Sequence, residues 1–129
     1  MLELANLASG KLVFDLGAGY GNIAFKTAES GAQVVAVEAD PFKAWWISRE
    51  INKKRLRGVS CLKTNLLDVN LTKADVLLCY LSGSLMNKIA EKKLQKGTLI
   101  VSCVHQIKKW NPTKIDEDKL YPIYVYETP

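Results

Sequence analysis

The sequence lacks the features that would place it among several large classes of protein. Its apolar runs are short, such as Val76–Leu81, whereas a helix that spans a membrane needs about 20 consecutive apolar residues. No leader of charged, apolar and then small residues opens the sequence, so we expect no secretory signal. Repeats, low-complexity tracts and Pro/Gly/Ser-rich linkers are also missing. With 129 residues, the chain is expected to form a single domain over residues 1–129.

Cysteine is scarce, and its spacing argues against a disulfide or zinc framework. Cys61, Cys79 and Cys103 are odd in number, and no two of them have the CxxC spacing. Each lies in or beside an apolar run, as expected for a small core residue. We therefore expect neither disulfides nor a bound metal, and we expect a reducing compartment, namely the cytoplasm.

Acidic residues are nearly missing from one stretch of the chain. Residues 41–63 contain seven basic residues and one acidic residue, in a chain whose net charge is +5. Basic residues interleaved with Trp45 and Trp46 can bind nucleic acid. A solvated helix face explains the same pattern, with one of the tryptophans packed against a sheet or beside an adenine ring. We favour the solvated face over a nucleic-acid partner, because a charge cluster alone is weak support for one.

Short apolar segments alternate with segments of helical period along the whole chain. β-branched and apolar runs predict strands, and a hairpin at Ile115 and Leu120–Glu127 is expected to close the chain. The alternation predicts an α/β fold with a mostly parallel sheet and a C-terminal antiparallel hairpin. In such sheets ligands bind beyond the carboxyl ends of the strands. The predicted strands are Lys11–Leu16, Gln33–Val37, Val59–Lys63, Ala74–Tyr80 and Gly97–Val104, and the predicted helices are Asn22–Ser30, Phe42–Arg57 and Ser84–Gln95.

A glycine-rich loop follows the first predicted strand. It reads Asp15-Leu-Gly-Ala-Gly-Tyr-Gly and leads into a helix. Alternate glycines let the backbone turn sharply and let a ligand approach closely. The amides at the start of the helix favour an anionic group such as a carboxylate. Glu38 follows the second strand, where a carboxylate can accept both hydroxyls of a ribose.

Two classes of cofactor fit this pair of loops. Dinucleotide sites use G-x-G-x-x-G, which is a weak signal alone, and the present loop is G-x-G-x-G. Asp15 precedes it by two positions, where a carboxylate would repel a pyrophosphate but can hold a cationic amino-acid group. The pattern therefore favours S-adenosylmethionine (AdoMet), which carries both a ribose and an amino acid.

The two motifs together resemble a known family. DLGAGYG followed by VVAVEADP is similar to the signature pair of class I AdoMet-dependent methyltransferases, whose sheet is Rossmann-like. ADVLLCYL, EKKLQKGTLIVSC, KKWNP and YPIYVYE resemble the small archaeal broad-specificity protein lysine methyltransferases and the mitochondrial ATP-synthase c-subunit lysine methyltransferases. The similarity covers about Met1 to Glu127.

The resemblance implies a set of cofactor-binding residues. In the family, the first loop holds the methionine end of AdoMet, the acidic residue after the second strand binds the ribose, and the loops after the second and third strands border the adenine. Carried over to this sequence, the cofactor-binding residues are Asp15, Gly17, Ala18, Gly19, Tyr20, Gly21, Glu38, Ala39, Asp40, Asn65, Leu66 and Cys79.

The tip of the fourth strand is the expected place where the methyl group meets its acceptor. Tyr80 is the catalytic candidate there, because its hydroxyl or ring face could orient an amine. Core packing at the end of an apolar strand explains Tyr80 equally well. His105 is the only histidine in the chain, and a surface or hydrogen-bonded position is favoured for it over a proton-accepting role.

The sequence also departs from the family pattern. Tyr20 and Asn22 stand where the family usually has an acidic residue and an arginine, and Cys103 stands where the archaeal relatives have histidine. Family members begin roughly thirty residues earlier, judged against usual domain sizes. In the family this additional segment is a lid that helps to cover the cofactor. The sequence starts at MLELA, an expected helix that would follow this lid, so the lid is expected to be absent.

Three functions remain open at this point. The leading hypothesis is a protein lysine N-methyltransferase, whose partner is a protein with an accessible lysine. An RNA or small-molecule methyltransferase is the second, although no NPPY-like tetrad follows the fourth strand, where LCYLSGS stands. A non-catalytic AdoMet-binding protein is the third. Methyl transfer from a sulfonium needs orientation and desolvation, and neither a metal nor a protein nucleophile.

Overall fold

The computed structural model describes residues 10–117 and 120–129 and forms a seven-stranded sheet around which the helices pack. The strand order is β3-β2-β1-β4-β5-β7-β6, and the first five strands run parallel. The predicted α/β architecture is therefore confirmed, whereas the predicted helix at MLELA lies outside the described residues. The elements are β1 (Leu12–Leu16), α1 (Asn22–Glu29), β2 (Gln33–Val37), α2 (Pro41–Lys54), β3 (Val59–Leu62), a 3-10 turn (Leu66–Asp68), β4 (Val76–Cys79), α3 (Gly83–Ala90), β5 (Leu99–Cys103), β6 (Lys114–Asp116) and β7 (Ile123–Glu127).

Side chains alternate between the two faces of the sheet, and each face has its own core. In β1, Val13 belongs to the core beneath α1 and α2, while Phe14 and Leu16 belong to the core beneath α3. The period of two along each strand produces this division. Because both faces are covered, β4 at the centre of the sheet is apolar throughout, and its four residues are all buried.

Local capping fixes where the second helix begins and ends. Asp40 precedes α2, and its Oδ1 accepts hydrogen bonds from the backbone N–H groups of Phe42 and Lys43 at 2.9 and 3.1 Å. Pro41 occupies the first turn, where its fixed φ is favourable. The helix ends before Arg55, which adopts the left-handed conformation with φ of 52°. The predicted end at Arg57 was therefore too late.

The third helix is shorter than its periodicity predicts. The sequence predicted Ser84–Gln95, whereas α3 ends at Ala90. Beyond that point the side chains bind backbone carbonyls elsewhere: Lys92 Nζ donates to Leu67 O at 2.7 Å and Gln95 Nε2 donates to Ala74 O at 2.8 Å. These long-range hydrogen bonds hold the segment against the 3-10 turn and the residue Ala74 before β4, in a non-helical path.

The C-terminal hairpin is antiparallel, as predicted, although its second arm begins at Ile123 instead of Leu120. β7 pairs with β5 on one side and with β6 on the other. Tyr126 is fully buried on β7, and its hydroxyl accepts a hydrogen bond from the backbone N–H of Ile107 at 3.0 Å. The last strand therefore fixes the loop that follows β5.

We predict that Tyr126→Phe destabilises the fold without changing its shape. The ring remains packed edge-on against Trp110, but the buried N–H of Ile107 loses its partner, which costs about 1–3 kcal/mol. Urea unfolding followed by circular dichroism measures this loss. Tyr121→Phe is the control, because Tyr121 is exposed. Equal stability of Tyr126→Phe and the wild type would contradict the role of this hydrogen bond.

Candidate active site

The glycine loop is held against the carboxyl end of β2. The backbone N–H groups of Gly17 and Ala18 both donate to the carbonyl of Val37 at 2.9 Å. Gly17, Gly19 and Gly21 have φ of 75°, 62° and 87°, a region that residues with a side chain rarely adopt. Glycine at alternate positions therefore permits the tight path between β1 and α1.

The loop also leaves open space where a ligand could approach. A Cβ at Gly21 would lie 2.9 Å from the Phe25 ring and 3.1 Å from Ile47 Cγ1, so this glycine is required by internal packing. A Cβ at Gly19 would meet no atom within 4 Å. Gly19 is therefore constrained by its backbone angle alone and faces free space.

Glu38 joins the two loops that the sequence singled out. Its Oε1 accepts a hydrogen bond from Gly19 N at 2.7 Å, and its Oε2 accepts one from Asp40 N at 2.9 Å. The carboxylate thus connects the glycine loop to the turn before α2. Each carboxylate oxygen has two acceptor positions, so Glu38 retains the capacity to accept further hydroxyl donors.

Asp15 is a buried carboxylate at the end of β1. By strand alternation it faces the side of the sheet that α1 covers, and its Oδ2 has no hydrogen-bond partner in the described part of the chain. Burial, and secondly the charge of Glu38, raise its pKa to about 7, while a backbone N–H from Ala24 opposes the rise. An unpaired carboxylate in such a place is stabilised by a cationic group.

A cleft of about 250 Å³, which we call the glycine-loop cleft, lies between the carboxyl ends of β1 and β4. Six of the predicted site residues line it together. The lining residues are Asp15, Gly17, Ala18, Tyr20, Asn22, Ile23, Leu78, Cys79 and Tyr80.

A second cleft, of about 290 Å³, lies beyond the ends of β4 and β5, and we call it the strand-end cleft. Tyr80 lines both clefts and is 64% exposed, so the interpretation of Tyr80 as a core residue is wrong. Val104 has φ of 78°, an uncommon conformation for a β-branched residue. Its N–H donates to Pro122 O at 2.8 Å, which ties this wall to β7. The lining residues are Tyr80, Leu81, Ser82, Cys103, Val104 and His105.

The residues predicted to border an adenine lie outside both clefts. Ala39 and Asp40 are exposed in the turn between β2 and α2. Asn65 caps the 3-10 turn, with its Oδ1 accepting from Leu67 N at 2.9 Å, and Leu66 packs partly into the core beneath α3. Because β2 and β3 are parallel neighbours, both loops lie at the same edge of the sheet as the glycine loop.

The three cysteines are unpaired thiols. Cys79 is fully buried at the end of β4, and burial raises its pKa well above the usual range. Burial also raises the pKa of Cys61 and of Cys103. A thiol is the weaker nucleophile than a thiolate, so the prediction of non-nucleophilic cysteines is consistent with this environment.

The two tryptophans of α2, one of which was expected to pack against the sheet or beside an adenine ring, differ in exposure. Trp45 is 55% exposed on the outer side of α2, so it is not the one packed against the sheet. Trp46 is half-buried, with its ring edge-on to Tyr20 at a centroid distance of 6.5 Å. The helical period predicted α2, but it could not predict which of the two adjacent tryptophans is exposed and which is half-buried.

Three residues that line the glycine-loop cleft were not predicted as site residues, namely Asn22, Ile23 and Leu78. Asn22 and Ile23 begin α1 directly after the glycine loop, so the position of the helix start was the available signal. Leu78 is an ordinary apolar residue of a buried strand, and nothing in the sequence distinguishes it. His105 is exposed, as the favoured interpretation expected, but it lines the strand-end cleft.

Known proteins resemble this chain in sequence and in fold. The family model described as the ANTKMT methyltransferase domain matches residues 15–114. A protein-lysine N-methyltransferase from Saccharolobus islandicus is 29% identical over 98% of this chain and 84% of that protein. A probable ribosomal RNA small subunit methyltransferase A from Methanosphaera stadtmanae is 25% identical over 74% of this chain, which spans only 35% of that protein.

A solved structure is similar over nearly the whole chain. The crystal structure of an RNA methyltransferase from Salinibacter ruber, in complex with S-adenosyl-L-homocysteine, has a TM-score of 0.93 and 26% sequence identity. The similarity covers 99% of this chain and 87% of that one.

The chain belongs to the ANTKMT methyltransferase domain family, and it is an AdoMet-dependent methyltransferase. The glycine loop and its cleft fit this cofactor: the cleft offers a buried carboxylate whose Oδ2 has no partner among the described residues, which suits a cationic group, and the loop has open space at Gly19. AdoMet supplies a methyl group activated by a sulfonium.

We predict that Asp15→Asn stabilises the protein above neutral pH. The folded-state pKa of about 7 exceeds the ordinary value of 3.8, so the folded chain retains a proton that the unfolded chain has lost. Stability from this group is therefore lost as pH rises between those values. At about pH 8 the variant should gain on the order of 2–4 kcal/mol and show a flatter pH dependence.

Urea unfolding across this pH range measures the effect in the absence of cofactor. Asp68→Asn is the matched control, because Asp68 is an exposed carboxylate, and its stability should follow the wild type. A loss of stability in Asp15→Asn at alkaline pH would show that the buried carboxylate is not strained.

Proposed function

We propose that this methyltransferase acts on the side-chain amine of protein lysines. The observation that carries the proposal is the position of Tyr80, whose exposed side chain lies between the glycine-loop cleft and the strand-end cleft. A ring at this junction can contact both the methyl donor and an acceptor. The similarity to a protein-lysine N-methyltransferase over 98% of this chain supports the same substrate class.

In this proposal three loops bind different parts of the AdoMet molecule. Asp15 faces the ammonium of the methionine part, and the N–H groups at the start of α1 face its carboxylate. Glu38 accepts the ribose hydroxyls at the positions that Gly19 and Asp40 leave free. The remaining residues, which shape the pocket or border the adenine, are Gly17, Ala18, Tyr20, Gly21, Ala39, Asn65, Leu66 and Cys79.

The strand-end cleft would receive the lysine side chain. Its wall includes the apolar side chains of Leu81 and Val104 and the ring of Tyr80. An apolar environment lowers the pKa of an amine and so favours the neutral, nucleophilic form. The nitrogen lone pair then forms the new bond to the methyl carbon while the sulfur keeps the electrons of the bond that breaks. Tyr80 would orient the amine through its hydroxyl or ring face.

An RNA acceptor is the second candidate, and one comparison favours it. The structure with a TM-score of 0.93 is that of an RNA methyltransferase. A strand-end cleft with an aromatic wall could also receive a base.

The compartment is proposed to be the cytoplasm, since three unpaired thiols fit a reducing environment. Among the described residues, none of the helices is both long and apolar enough to cross a membrane.

We predict transfer of a labelled methyl group from AdoMet to lysine. The purified protein is incubated with labelled AdoMet and with three acceptors: cell-extract protein, the same protein with its amines chemically blocked, and total RNA. Acid hydrolysis should release labelled methyllysine from the first acceptor alone. Label in RNA and none in protein would select the second candidate, and no transfer to any acceptor would contradict both.

We predict that Tyr80→Phe slows this transfer. The variant keeps the ring and removes the hydroxyl, so the rate at saturating AdoMet should fall by roughly tenfold to a hundredfold if the hydroxyl positions the amine. Tyr121→Phe is the matched control, since Tyr121 is exposed and lines neither cleft. An unchanged rate in Tyr80→Phe would contradict a role for the Tyr80 hydroxyl in positioning the amine.

We predict that Gly19→Ala weakens AdoMet binding, and that its effect on folding is limited to the cost of the positive φ. The added Cβ meets no protein atom, so it would enter the space proposed for the cofactor, and affinity should fall by about tenfold or more, measured by titration calorimetry. Gly97→Ala is a matched control, because Gly97 has a similar positive φ of 83° and equally open space. Comparable loss of affinity in both variants would contradict the placement.

A further inference from the structure

One exposed surface of the molecule lies mostly outside the site proposed for methyl transfer and shares Tyr20 with it. It joins the outer side of α2 to the glycine loop, and we call it the α2 aromatic face, defined by Tyr20, Phe42, Lys43, Trp45, Trp46 and Arg49. Phe42, Trp45 and Tyr20 are 59%, 55% and 46% exposed. Exposed aromatic side chains concentrated in one place mark a binding surface more often than an ordinary solvated one.

Rings and cations alternate across this face in a continuous series. Lys43 Nζ lies 5.7 Å from the Tyr20 ring centroid, and the Tyr20 ring contacts the Trp46 ring. The Arg49 guanidinium lies 5.6 Å from the Trp46 ring and 6.0 Å from the Trp45 ring. The Trp45 ring in turn lies 5.8 Å from Phe42. Each cation therefore lies beside at least one exposed ring, Lys43 beside Tyr20 and Arg49 beside Trp45.

The helix that carries this face, together with the residues that follow it, is predominantly basic. Residues 41–57 contain six basic residues and one acidic residue. That acid, Glu50, has a side chain only 10% exposed, and it contacts Arg49 at 3.7 Å and Lys54 at 3.2 Å. Asp40 lies just before the helix, where its exposed carboxylate caps the first turn. From Lys43 onward the accessible charge along α2 is therefore predominantly cationic, and it complements an anionic partner.

We propose that the α2 aromatic face binds single-stranded nucleic acid, independently of which acceptor the enzyme methylates. Such a strand carries the two kinds of group that complement this face: unstacked planar bases can stack on the exposed rings, and phosphates can pair with the cations. α2 has 14 residues and is therefore about 21 Å long, enough to contact several nucleotides. Because Tyr20 also lines the glycine-loop cleft, a strand bound here would pass beside the cofactor.

Binding is measured by fluorescence anisotropy with labelled oligouridylate and oligothymidylate of about 12 nucleotides, at about 50 and 200 mM salt. We expect both strands to bind and salt to weaken them. Trp45→Ala should weaken binding by about tenfold, and Trp45→Phe should restore most of the loss, because a ring remains. Arg49→Ala should lower the slope of log affinity against log salt by about 1.

Two controls separate this face from general surface charge. Tyr121→Ala removes an exposed ring near the opposite edge of the sheet, and Lys93→Ala removes an exposed cation beyond α3; both should leave affinity unchanged. Calorimetric titration with AdoMet should give the same affinity for Trp45→Ala as for the wild type, which shows that the variant is folded.

Three results would overturn the proposal. They are no binding of either oligonucleotide at the lower salt, equal loss in Tyr121→Ala and Trp45→Ala, and binding to phosphatidylserine vesicles without binding to oligonucleotides. None of these measurements involves methyl transfer, so they are independent of the lysine acceptor proposed above.

Discussion

The carboxylate of Glu38 holds together the part of the molecule on which its chemistry depends. One oxygen binds the glycine loop after β1, and the other binds the turn that opens α2. The same residue thereby fixes the backbone of both loops and keeps acceptor positions for a ligand. A parallel sheet brings these loops to one edge, but it does not by itself fix the distance between them. In this chain the Glu38 side chain fixes that distance together with the hydrogen bonds from Gly17 N and Ala18 N to Val37 O.

The position of Glu38 also creates the electrostatic character of the cleft. Its negative charge adds to the desolvation of Asp15, so two carboxylates lie close to the glycine loop, and Oδ2 of Asp15 has no hydrogen-bond partner among the described residues. A pyrophosphate would be repelled by this pair, whereas in the proposed placement the cationic amino acid and the ribose of AdoMet satisfy both groups. In that placement the preference for AdoMet over a dinucleotide follows from two side chains more than from the glycine spacing, which the two cofactor classes nearly share.

Much of the fold could be predicted from the sequence because it depends on local periodicity and on glycine, proline and capping residues. The order of strands and helices, the glycine loop and the acidic residue after β2 all followed from such signals. The failures have a common cause, which is contact between distant residues. The end of α3 depends on carbonyls some twenty residues away that bind Lys92 and Gln95. The exposure of Tyr80 and Trp45 depends on how neighbouring elements cover a strand end or a helix face, and a one-dimensional pattern does not encode it.

The two hydrogen bonds that fix the wall beyond β5 have a consequence for how the molecule is synthesised. Val104 N binds Pro122 O, and Ile107 N binds the Tyr126 hydroxyl, so this wall needs β7 and the residue before it. In the described part of the chain, the residues that line the glycine-loop cleft all lie within 15–23 and 78–80. On a ribosome, these residues of the donor side emerge first, and the wall of the strand-end cleft is completed only after β7 has emerged. The second cleft thus forms later than the first during synthesis.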